Sequence, residues 1–326
     1  MSHQIPTLHL DRVVNEYAQD MSGKTIVITG TTSGTGYVCA RECAKKKARV
    51  VLLNRNSERA EKSLQDLQSE LPNASFELIS CDLQDFDSVR KATASIKSKY
   101  DSIDVLVNNA GVMAMKDIAT KDGYDVQMQT NVLSHFLITK ELFPLLRKSK
   151  DARIVNHSSQ ARLGPPLEAR YFEANGGNLG GEGTEEEQAS FKGPRWARYH
   201  QTKLANACFT YGLKQKLEKA NIDNVKALLA HPGLARTQLQ ITTAADGGMD
   251  ANSEFMLQAQ SAEDGATGII RGAMDPNAQS GDFFGPVEGW RGFPERLEPE
   301  EHLYETSNLE VNWTGCEKAV GEFLIQ

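Results

Sequence analysis

The fold is indicated by the stretch TIVITGTTSGTG at residues 25–36, where an apolar run passes directly into a glycine-rich loop. The run has the β-branched composition of a buried strand, and the residues after it have helical periodicity. Glycines permit positive φ and close backbone approach, which a diphosphate at a helix N-terminus requires. The spacing G-x-x-x-G-x-G is a variant of the common dinucleotide-binding pattern, and the alternative is a simple turn rich in Gly, Thr and Ser.

Short β-branched runs alternate with helix-period stretches on both sides of this loop. Near-continuous apolar strands between helices indicate a parallel sheet covered on both faces and joined by right-handed crossovers. The sequence therefore predicts an α/β fold, a single doubly wound Rossmann-type domain. The seven predicted strands are residues 25–29, 49–54, 76–80, 103–107, 153–156, 225–230 and 282–284. The predicted helices are residues 36–47, 58–70, 86–99, 124–148, 196–219 and 262–274.

Two segments lie outside this alternation. Residues 1–22 form an N-terminal extension with a short predicted amphipathic helix, because apolar residues recur there at helical spacing. The Rossmann-type domain spans residues 23–326 and carries an irregular insertion at about 164–193, which is rich in Pro and Gly. Long loops are functional lids or disordered excursions, so both interpretations stay open. As a lid, the insertion would have these apolar inner contacts: Leu163, Leu167, Tyr171, Phe172 and Phe191.

Composition limits the possible functions. The net charge of −7 disfavours nucleic-acid binding, and no apolar run approaches the roughly 20 residues of a membrane span. The five cysteines form no C-x-x-C pair, which favours free thiols in a reducing compartment and hence a cytoplasmic, soluble protein. The seven histidines show no ligand spacing, so the sequence predicts no metal site.

The second strand ends in a residue that indicates the cofactor. Asn54 and Arg55 lie about twenty residues past the glycine loop, where a carboxylate would hold a ribose 2′-hydroxyl and an arginine suits a 2′-phosphate. We therefore expect NADP(H) in preference to NAD(H), although Arg55 as a solvated surface residue is the alternative. Asp82, after the third strand, either accepts from the adenine amino group or caps a following turn. The NNAG segment at residues 108–111 follows the fourth strand, at the sheet edge where ligands bind.

A tyrosine and a lysine carry the predicted chemistry. Tyr199 and Lys203 are four residues apart in a predicted helix, so the phenol and the ammonium share one face. A free tyrosine has a pKa of about 10, and a nearby cation lowers that pKa by favouring the phenolate. Tyr199 would exchange a proton with a carbonyl or alcohol oxygen while a hydride moves. The spacing alone is common on amphipathic helices, with the tyrosine in the core and the lysine solvated.

With these residues the chain resembles the short-chain dehydrogenase/reductase family over residues 24–284, and most of all its retinol dehydrogenase and protochlorophyllide reductase branch. The resemblance implies the sheet order 3-2-1-4-5-6-7 and NAD(P)-dependent carbonyl/alcohol chemistry. It also implies a homo-oligomer that forms through the helices carrying Asn131 and Tyr199. The shared motifs, in the family's order, are the glycine loop, Asp82, residues 108–111, Asn131, Ser158 with Ser159, Tyr199 with Lys203, and Pro232 with Gly233 and Thr237.

The resemblance also implies a role for each site residue. Ser159, the second of the serine pair, would bond the reacting oxygen, and Lys203 would also bond the nicotinamide ribose. Asn131 would hold a water that links Lys203 to solvent, and Thr237 would bond the carboxamide. The catalytic set is Asn131, Ser159, Tyr199 and Lys203. The expected cofactor contacts are Gly30, Thr32, Ser33, Gly34, Thr35, Gly36, Arg55, Asp82, Leu83, Asn109, Ala110, Gly111, Tyr199, Lys203, Pro232, Gly233 and Thr237.

The leading hypothesis is an NADP(H)-dependent oxidoreductase that acts on a small-molecule carbonyl compound or alcohol. One alternative is a catalytically idle NADP(H)-binding sensor or scaffold, against which the complete catalytic set argues. Another is a light-dependent ring reductase, which needs a pigment pocket that motifs do not reveal. The substrate, the direction of the reaction and its stereochemistry stay open.

Overall fold

The apolar run at residues 25–29 forms the fully buried strand β1 near the middle of the sheet. The computed structural model describes residues 5–250 and 253–325. Within them, the sheet has the order β3-β2-β1-β4-β5-β6-β7-β8 and is parallel except for β8, which pairs antiparallel with β7. The strands are β1 Thr25–Thr29, β2 Arg49–Asn54, β3 Ser75–Ser80, β4 Val105–Asn108, β5 Ala152–His157, β6 Val225–Ala230, β7 Phe283–Pro286 and β8 Pro294–Leu297.

The predicted Rossmann-type fold and the order of its first seven strands are confirmed. The eighth strand was not predicted, because it has no apolar run to mark it. It begins at a proline and exposes Glu295 and Arg296, as an edge strand can. An antiparallel edge strand on a largely parallel sheet is a common arrangement.

Helices cover both faces of the sheet. On one face α2 and α11 pack against the strands and α1 packs on α11, and on the other face α4, α6 and α8 pack against the strands and α12 packs on α8. The helices are α1 Leu10–Tyr17, α2 Gly34–Lys45, α3 Glu58–Glu70, α4 Phe86–Lys99, α5 Val126–Met128, α6 Ser134–Leu146, α7 Glu185–Ala189, α8 Gly193–Lys219, α9 Gln238–Ala245, α10 Ala262–Gly265, α11 Thr267–Met274 and α12 Thr306–Val320.

Two predicted helices are interrupted. The helix expected at 124–148 contains a π-helical turn, Gln129–Leu133, between α5 and α6. The helix expected at 262–274 divides at Ala266 into α10 and α11. The helices α9 and α12 were not predicted. α9 contributes to the wall of the cavity and α12 to the surface of the domain, as described below.

The N-terminal extension is held by one carboxylate and one guanidinium. Asp264 accepts hydrogen bonds from the backbone N–H groups of Leu8, His9 and Leu10 at 2.8–3.2 Å, which satisfies free donors at the start of α1. The guanidinium of Arg271 lies 3.9 Å from the ring centroid of Tyr17 at the other end of α1. The extension thereby closes one face of the core.

The insertion at 164–193 is folded against the domain, and its predicted lid contacts are mostly wrong. It contains a 3-10 turn, Ala169–Phe172, and α7, which begins with a capping box at Thr184. Leu167, Tyr171 and Phe172 are buried in the main core, where this turn packs against α12. Leu163 is 55% exposed. The unpredicted helix α12 supplies the apolar surface that these side chains cover, and of the five only Phe191 reaches the cavity described below.

The C-terminal segment also covers the helices through which an oligomer was expected. Trp313 of α12 contacts Phe136 of α6 and Phe209 of α8, with ring centroids 5.1 and 6.0 Å apart. Phe323 lies against Phe136 and Phe143, at 5.5 and 5.2 Å. These contacts cover apolar surface of both helices, and the expected oligomer stays a prediction.

Candidate active site

A cavity of about 910 Å³ opens at the carboxyl ends of the parallel strands, where ligands bind in open α/β sheets. Two predicted residues, Gly36 and Asn131, lie outside the cavity wall. The other predicted site residues all line it: Gly30, Thr32, Ser33, Gly34, Thr35, Arg55, Asp82, Leu83, Asn109, Ala110, Gly111, Ser159, Tyr199, Lys203, Pro232, Gly233 and Thr237.

The glycine loop has a backbone that only glycine accommodates. Gly30 and Gly34 have φ values of +72° and +62°. A Cβ on Gly36 would lie 2.2 Å from the carbonyl oxygen of Gly30, so α2 could not approach the loop. Because Ser33 places no side-chain cap on α2, the first N–H groups of the helix are left to an anion in the cavity.

Asn54 holds the loop in place. Its Oδ1 accepts from the Thr31 N–H and its Nδ2 donates to Thr31 Oγ1, both at 2.8 Å. The residue at the end of β2 therefore braces the loop with a neutral side chain and adds no carboxylate to the cavity.

Two arginines lie at the end of the cavity that the glycine loop forms, which is called the nucleotide end below. Arg55 and Arg59 are both exposed and line the wall beside the end of β2. The Nη2 of Arg59 lies 3.3 Å from Ser33 Oγ and 3.4 Å from Thr32 Oγ1, so it contacts the glycine loop directly. Sequence reasoning missed Arg59, although it lies in the first turn of α3, only four residues beyond Arg55.

Asp82 fills one of the two roles that were considered for it, the capping of the following turn, and its bond to adenine stays a prediction. Its carboxylate accepts from the Gln84 N–H at 2.9 Å and so closes a turn, while the residue lines the cavity. The N-cap of α4 is Asp85, which accepts from the N–H groups of Asp87 and Ser88.

Tyr199, Ser159 and Lys203 meet at the floor of the cavity. Tyr199 is only 4% exposed, and the Ser159 side chain is close enough to its phenol to lower the pKa of that phenol. Ser158 Oγ instead donates to the backbone carbonyl of Lys203 at 2.7 Å, which directs that hydroxyl away from the reacting position. Ser158 is thus engaged with the backbone of α8, and the catalytic role of Ser159 stays a prediction.

Burial dominates the titration of this pair. It raises the pKa of Tyr199 to about 12, with the Ser159 hydrogen bond acting in the opposite direction. It lowers the pKa of Lys203 to about 8. The expectation that Lys203 lowers the pKa of Tyr199 is wrong for this structure. The reason is geometric: Lys203 Nζ donates to the carbonyl oxygen of His157 at 3.1 Å and lies 5.7 Å from the Tyr199 ring centroid.

Asn131 braces the site from behind. In the π turn its Nδ2 donates to the Val112 carbonyl and to Thr202 Oγ1 at 2.9 and 3.0 Å, and its Oδ1 accepts from the Val112 N–H at 2.8 Å. These bonds join the segment after β4 to α8 beside Lys203. The water-holding role expected of Asn131 stays a prediction, since Oδ1 accepts one of the two hydrogen bonds that an amide oxygen can take.

A neutral hydrogen-bond network lies beneath the cavity and was not predicted. His135 contacts Thr29 Oγ1 at 2.9 Å, and the same hydroxyl accepts from the N–H groups of Asn109 and Ala110 at 3.0 Å. His157 contacts Asn109 Oδ1 at 3.0 Å. Burial lowers the pKa of His135 to about 4 and that of His157 to about 3, so both rings are neutral near pH 7.

Thr237 begins α9. Its Oγ1 accepts from the Leu239 N–H at 3.3 Å and forms a capping box with Gln240. The hydroxyl thus fixes the start of a helix whose side chains, Leu239 among them, line the cavity. Any bond from Thr237 to a ligand would share an oxygen that already caps α9.

The end of the cavity beyond Tyr199 is apolar. A hydrophobic cluster separate from the two sheet cores surrounds Tyr199. Its buried members are Met113, Ala114, Trp196, Tyr199, Leu234, Met249, Met256 and Ala259.

Comparison with known proteins identifies the family. The model of the short chain dehydrogenase family matches residues 24–172. An uncharacterized oxidoreductase of Schizosaccharomyces pombe is 38% identical over 226 residues, 68% of this chain and 62% of that protein. Human retinol dehydrogenase 13 is 33% identical over 225 residues, 69% of this chain and 63% of that protein. The solved structure of an uncharacterized protein from Mycobacterium paratuberculosis has a TM-score of 0.74 at 28% identity, covering 96% of this chain and 98% of that one.

The chain belongs to the short-chain dehydrogenase/reductase family of oxidoreductases, and within it to the retinol dehydrogenase-like branch. The resemblance inferred from the motifs is thereby confirmed. The aligned region spans less than two thirds of the length of these two relatives. Three solved proteins that share the fold, at 19–23% identity to this chain, were determined with NADP, NADH and NADPH.

Membrane-spanning helices and metal-binding clusters are both absent from the described residues, 5–250 and 253–325. Among the helices of these residues, none has both the length and the apolar composition needed to cross a bilayer. No group of three or more His, Cys, Asp and Glu side chains there is arranged to hold a metal ion.

Proposed function

We propose that the protein is an NADP(H)-dependent oxidoreductase that interconverts a carbonyl compound and an alcohol, with Tyr199 as the general acid and base. The observation that carries the proposal is the position of the Tyr199 phenol. It is buried, and it lies in the same cavity as Ser159, Lys203 and the glycine loop.

The residues present fit a dinucleotide phosphate. The uncapped start of α2 suits the diphosphate, since its free N–H groups and the helix dipole favour an anion. Arg55 and Arg59 suit the 2′-phosphate, because guanidinium groups pair with phosphate in a fork geometry. When bound, the nicotinamide would supply or accept the hydride.

The side chains around the reacting oxygen divide the remaining work. With a pKa of about 12, Tyr199 is protonated near neutrality and is ready to donate to a carbonyl oxygen. Ser159 would hold that oxygen in place. Below pH about 8 Lys203 keeps its charge, and its ammonium would bond the nicotinamide ribose. Asn131 is a positioning residue, since it fixes Thr202 next to Lys203.

The proposal is tested by following NADPH oxidation over a panel of uncharged, acidic and sugar-like carbonyl compounds. The panel includes retinal, because relatives are named retinol dehydrogenases. Turnover of at least one compound that Tyr199→Phe abolishes would support the proposal. Tight NADPH binding with no turnover of any compound would favour the idle sensor or scaffold, and pigment absorbance in the purified protein would favour the ring reductase.

We also propose a reducing, cytoplasmic location. All five cysteines are buried as free thiols, and Cys39 and Cys43 lie one helical turn apart without forming a disulfide. The proposal fails if fractionation finds the protein in an oxidising compartment.

A further inference from the structure

The apolar end of the cavity is lined by a continuous series of aromatic rings. Trp196 meets Tyr199 edge-on, with centroids 5.8 Å apart and planes at 87°, and it meets Phe191 in the same way at 5.0 Å. Phe255 contacts Phe191 at 5.1 Å and Trp290 at 5.2 Å. All five rings line the cavity, so the series leads from the reacting phenol outward to Trp290, which is 49% exposed.

The rings come from separate parts of the chain. Phe191 ends the insertion, Trp196 belongs to α8, Phe255 lies in the 3-10 turn Glu254–Gln258, and Trp290 lies between β7 and β8. Four segments distant in sequence therefore supply aromatic surface to one end of one cavity. Phe191 and Phe255 are only half-buried, which leaves part of each ring available to a guest.

Two polar side chains of this wall are hydrogen-bonded within the protein, and His200 lies beside Trp196 with ring centroids 6.4 Å apart. Burial lowers the pKa of His200, so its ring is neutral near pH 7. Trp196 Nε1 donates to the carbonyl oxygen of Gly248 at 3.0 Å. Thr243 Oγ1 lies 2.9 Å from the carbonyl oxygens of Met113 and Leu239. A guest in this region would meet ring faces, ring edges and methionine side chains.

The charged side chains of the cavity lie at its nucleotide end and on its floor. The Asp, Glu, Lys and Arg side chains that line the cavity, among the residues that the structure describes, are Arg55, Arg59, Asp82 and Lys203. The first three lie at the nucleotide end, and Lys203 lies beneath Tyr199. The aromatic end thus lacks a cation to pair with a substrate carboxylate or phosphate, and burying an unpaired charge there would be costly.

We propose that the substrate is an uncharged carbonyl compound with an aromatic or fused-ring group next to the carbonyl, bound with its ring against Phe191, Trp196 and Phe255. Aromatic rings gain energy from edge-to-face and offset contacts beyond the burial of area, which an aliphatic chain does not. This inference rests on the proposed function, because it places the carbonyl at Tyr199 and Ser159.

The test compares two ketones of equal carbon number, 2-acetonaphthone and 2-dodecanone, in wild type and in the double variant Phe191→Leu/Phe255→Leu. The readout is the ratio of kcat/KM for the aryl ketone to that for the alkyl ketone. The intrinsic reactivity of each ketone is the same for both proteins, so the change in this ratio isolates the ring contacts. We expect the ratio to fall about tenfold or more in the double variant. The carboxylated aryl ketone 6-acetyl-2-naphthoate should be reduced at least about a hundredfold less efficiently than 2-acetonaphthone.

The matched control is Phe293→Leu, which makes the same change at a ring that packs on α1 outside the cavity. It should leave the ratio unchanged. Thermal unfolding and NADPH affinity would show that all variants are folded. An unchanged ratio in the double variant, or equal use of the carboxylated ketone, would overturn the inference.

Calorimetry keeps this inference separate from the proposed function. The affinity of the NADP-bound protein for 2-acetonaphthone and 2-dodecanone can be measured without turnover. If neither ketone is reduced but the aryl ketone binds more tightly and loses that advantage in the double variant, the proposed function fails and the ring site stands. If ketones are reduced without any aryl preference in rate or binding, the function stands and the ring site fails.

Discussion

Removing Arg55 and Arg59 should weaken NADPH binding and leave NADH binding nearly unchanged. Both guanidiniums line the nucleotide end of the cavity, and Arg59 already contacts the loop hydroxyls of Thr32 and Ser33 at 3.4 and 3.3 Å. These long contacts can be exchanged for a phosphate oxygen at little cost. The variants are Arg55→Ala, Arg59→Ala and the double substitution.

The magnitude follows from the exposure of the two side chains. A hydrogen bond to a charged group contributes about 1.5–3 kcal/mol, and solvent screening favours the lower end for two exposed arginines. Each substitution should therefore cost about 1.5 kcal/mol, or about tenfold in the NADPH dissociation constant. The double variant should lose between about tenfold and a hundredfold, because two groups that bind one phosphate are coupled.

The assay is fluorescence titration of each protein with NADPH and with NADH at one fixed ionic strength. Arg90→Ala is the matched control, since Arg90 is an exposed arginine on α4 that does not line the cavity. It should change neither constant. Equal losses for both cofactors would show that the arginines act on the fold or the diphosphate, and unchanged NADPH affinity in the double variant would refute the assignment altogether.

Three further outcomes are expected. For Lys203, the folded-state pKa of about 8 lies below the ordinary 10.5, so the unfolded chain binds more protons between these two pH values. The free energy of unfolding should therefore rise by about 3 kcal/mol from pH 8 to 10.5 in wild type but not in Lys203→Met, as denaturant titration would show. Gly36→Ala should lower stability by about 3 kcal/mol in urea titrations, because the new Cβ would lie 2.2 Å from the Gly30 oxygen; wild-type stability would contradict the loop geometry. The purified protein should be monomeric in light scattering, since α12 and Phe323 cover α6 and α8, and a dimer broken by substitutions on those helices would contradict this.

The parts of the fold that could be predicted are those where local pattern and tertiary environment agree. The strands β1, β2 and β4 to β6 are largely buried apolar runs, and the glycine loop needs its residue types for backbone reasons alone. Two missed elements also had readable signals. Thr237 and Gln240 have the capping-box spacing that begins α9, and Leu309, Trp313, Cys316 and Val320 have helical spacing in α12.

Other features depend on contacts that spacing cannot show. The π turn places Asn131 where it bonds both Val112 and Thr202, groups far apart in sequence. The directions of the pKa shifts of Tyr199 and Lys203 could not be predicted for a similar reason. Four-residue spacing puts Tyr199 and Lys203 on one helix face, but burial and the carbonyl oxygen of His157 determine where the ammonium points and which way each pKa moves.

The central claim is that the Tyr199 phenol transfers the proton, and single-turnover NADPH oxidation by Tyr199→Phe tests it most directly. The assay uses a carbonyl compound that the wild type reduces, with the NADPH dissociation constant measured in parallel. Phenylalanine fills the same buried space, so we expect NADPH affinity within about twofold of wild type and a rate about 10²–10⁴-fold lower, as for loss of a general acid. A rate near that of wild type, at unchanged NADPH affinity, would contradict the assignment of Tyr199 and with it the proposed mechanism.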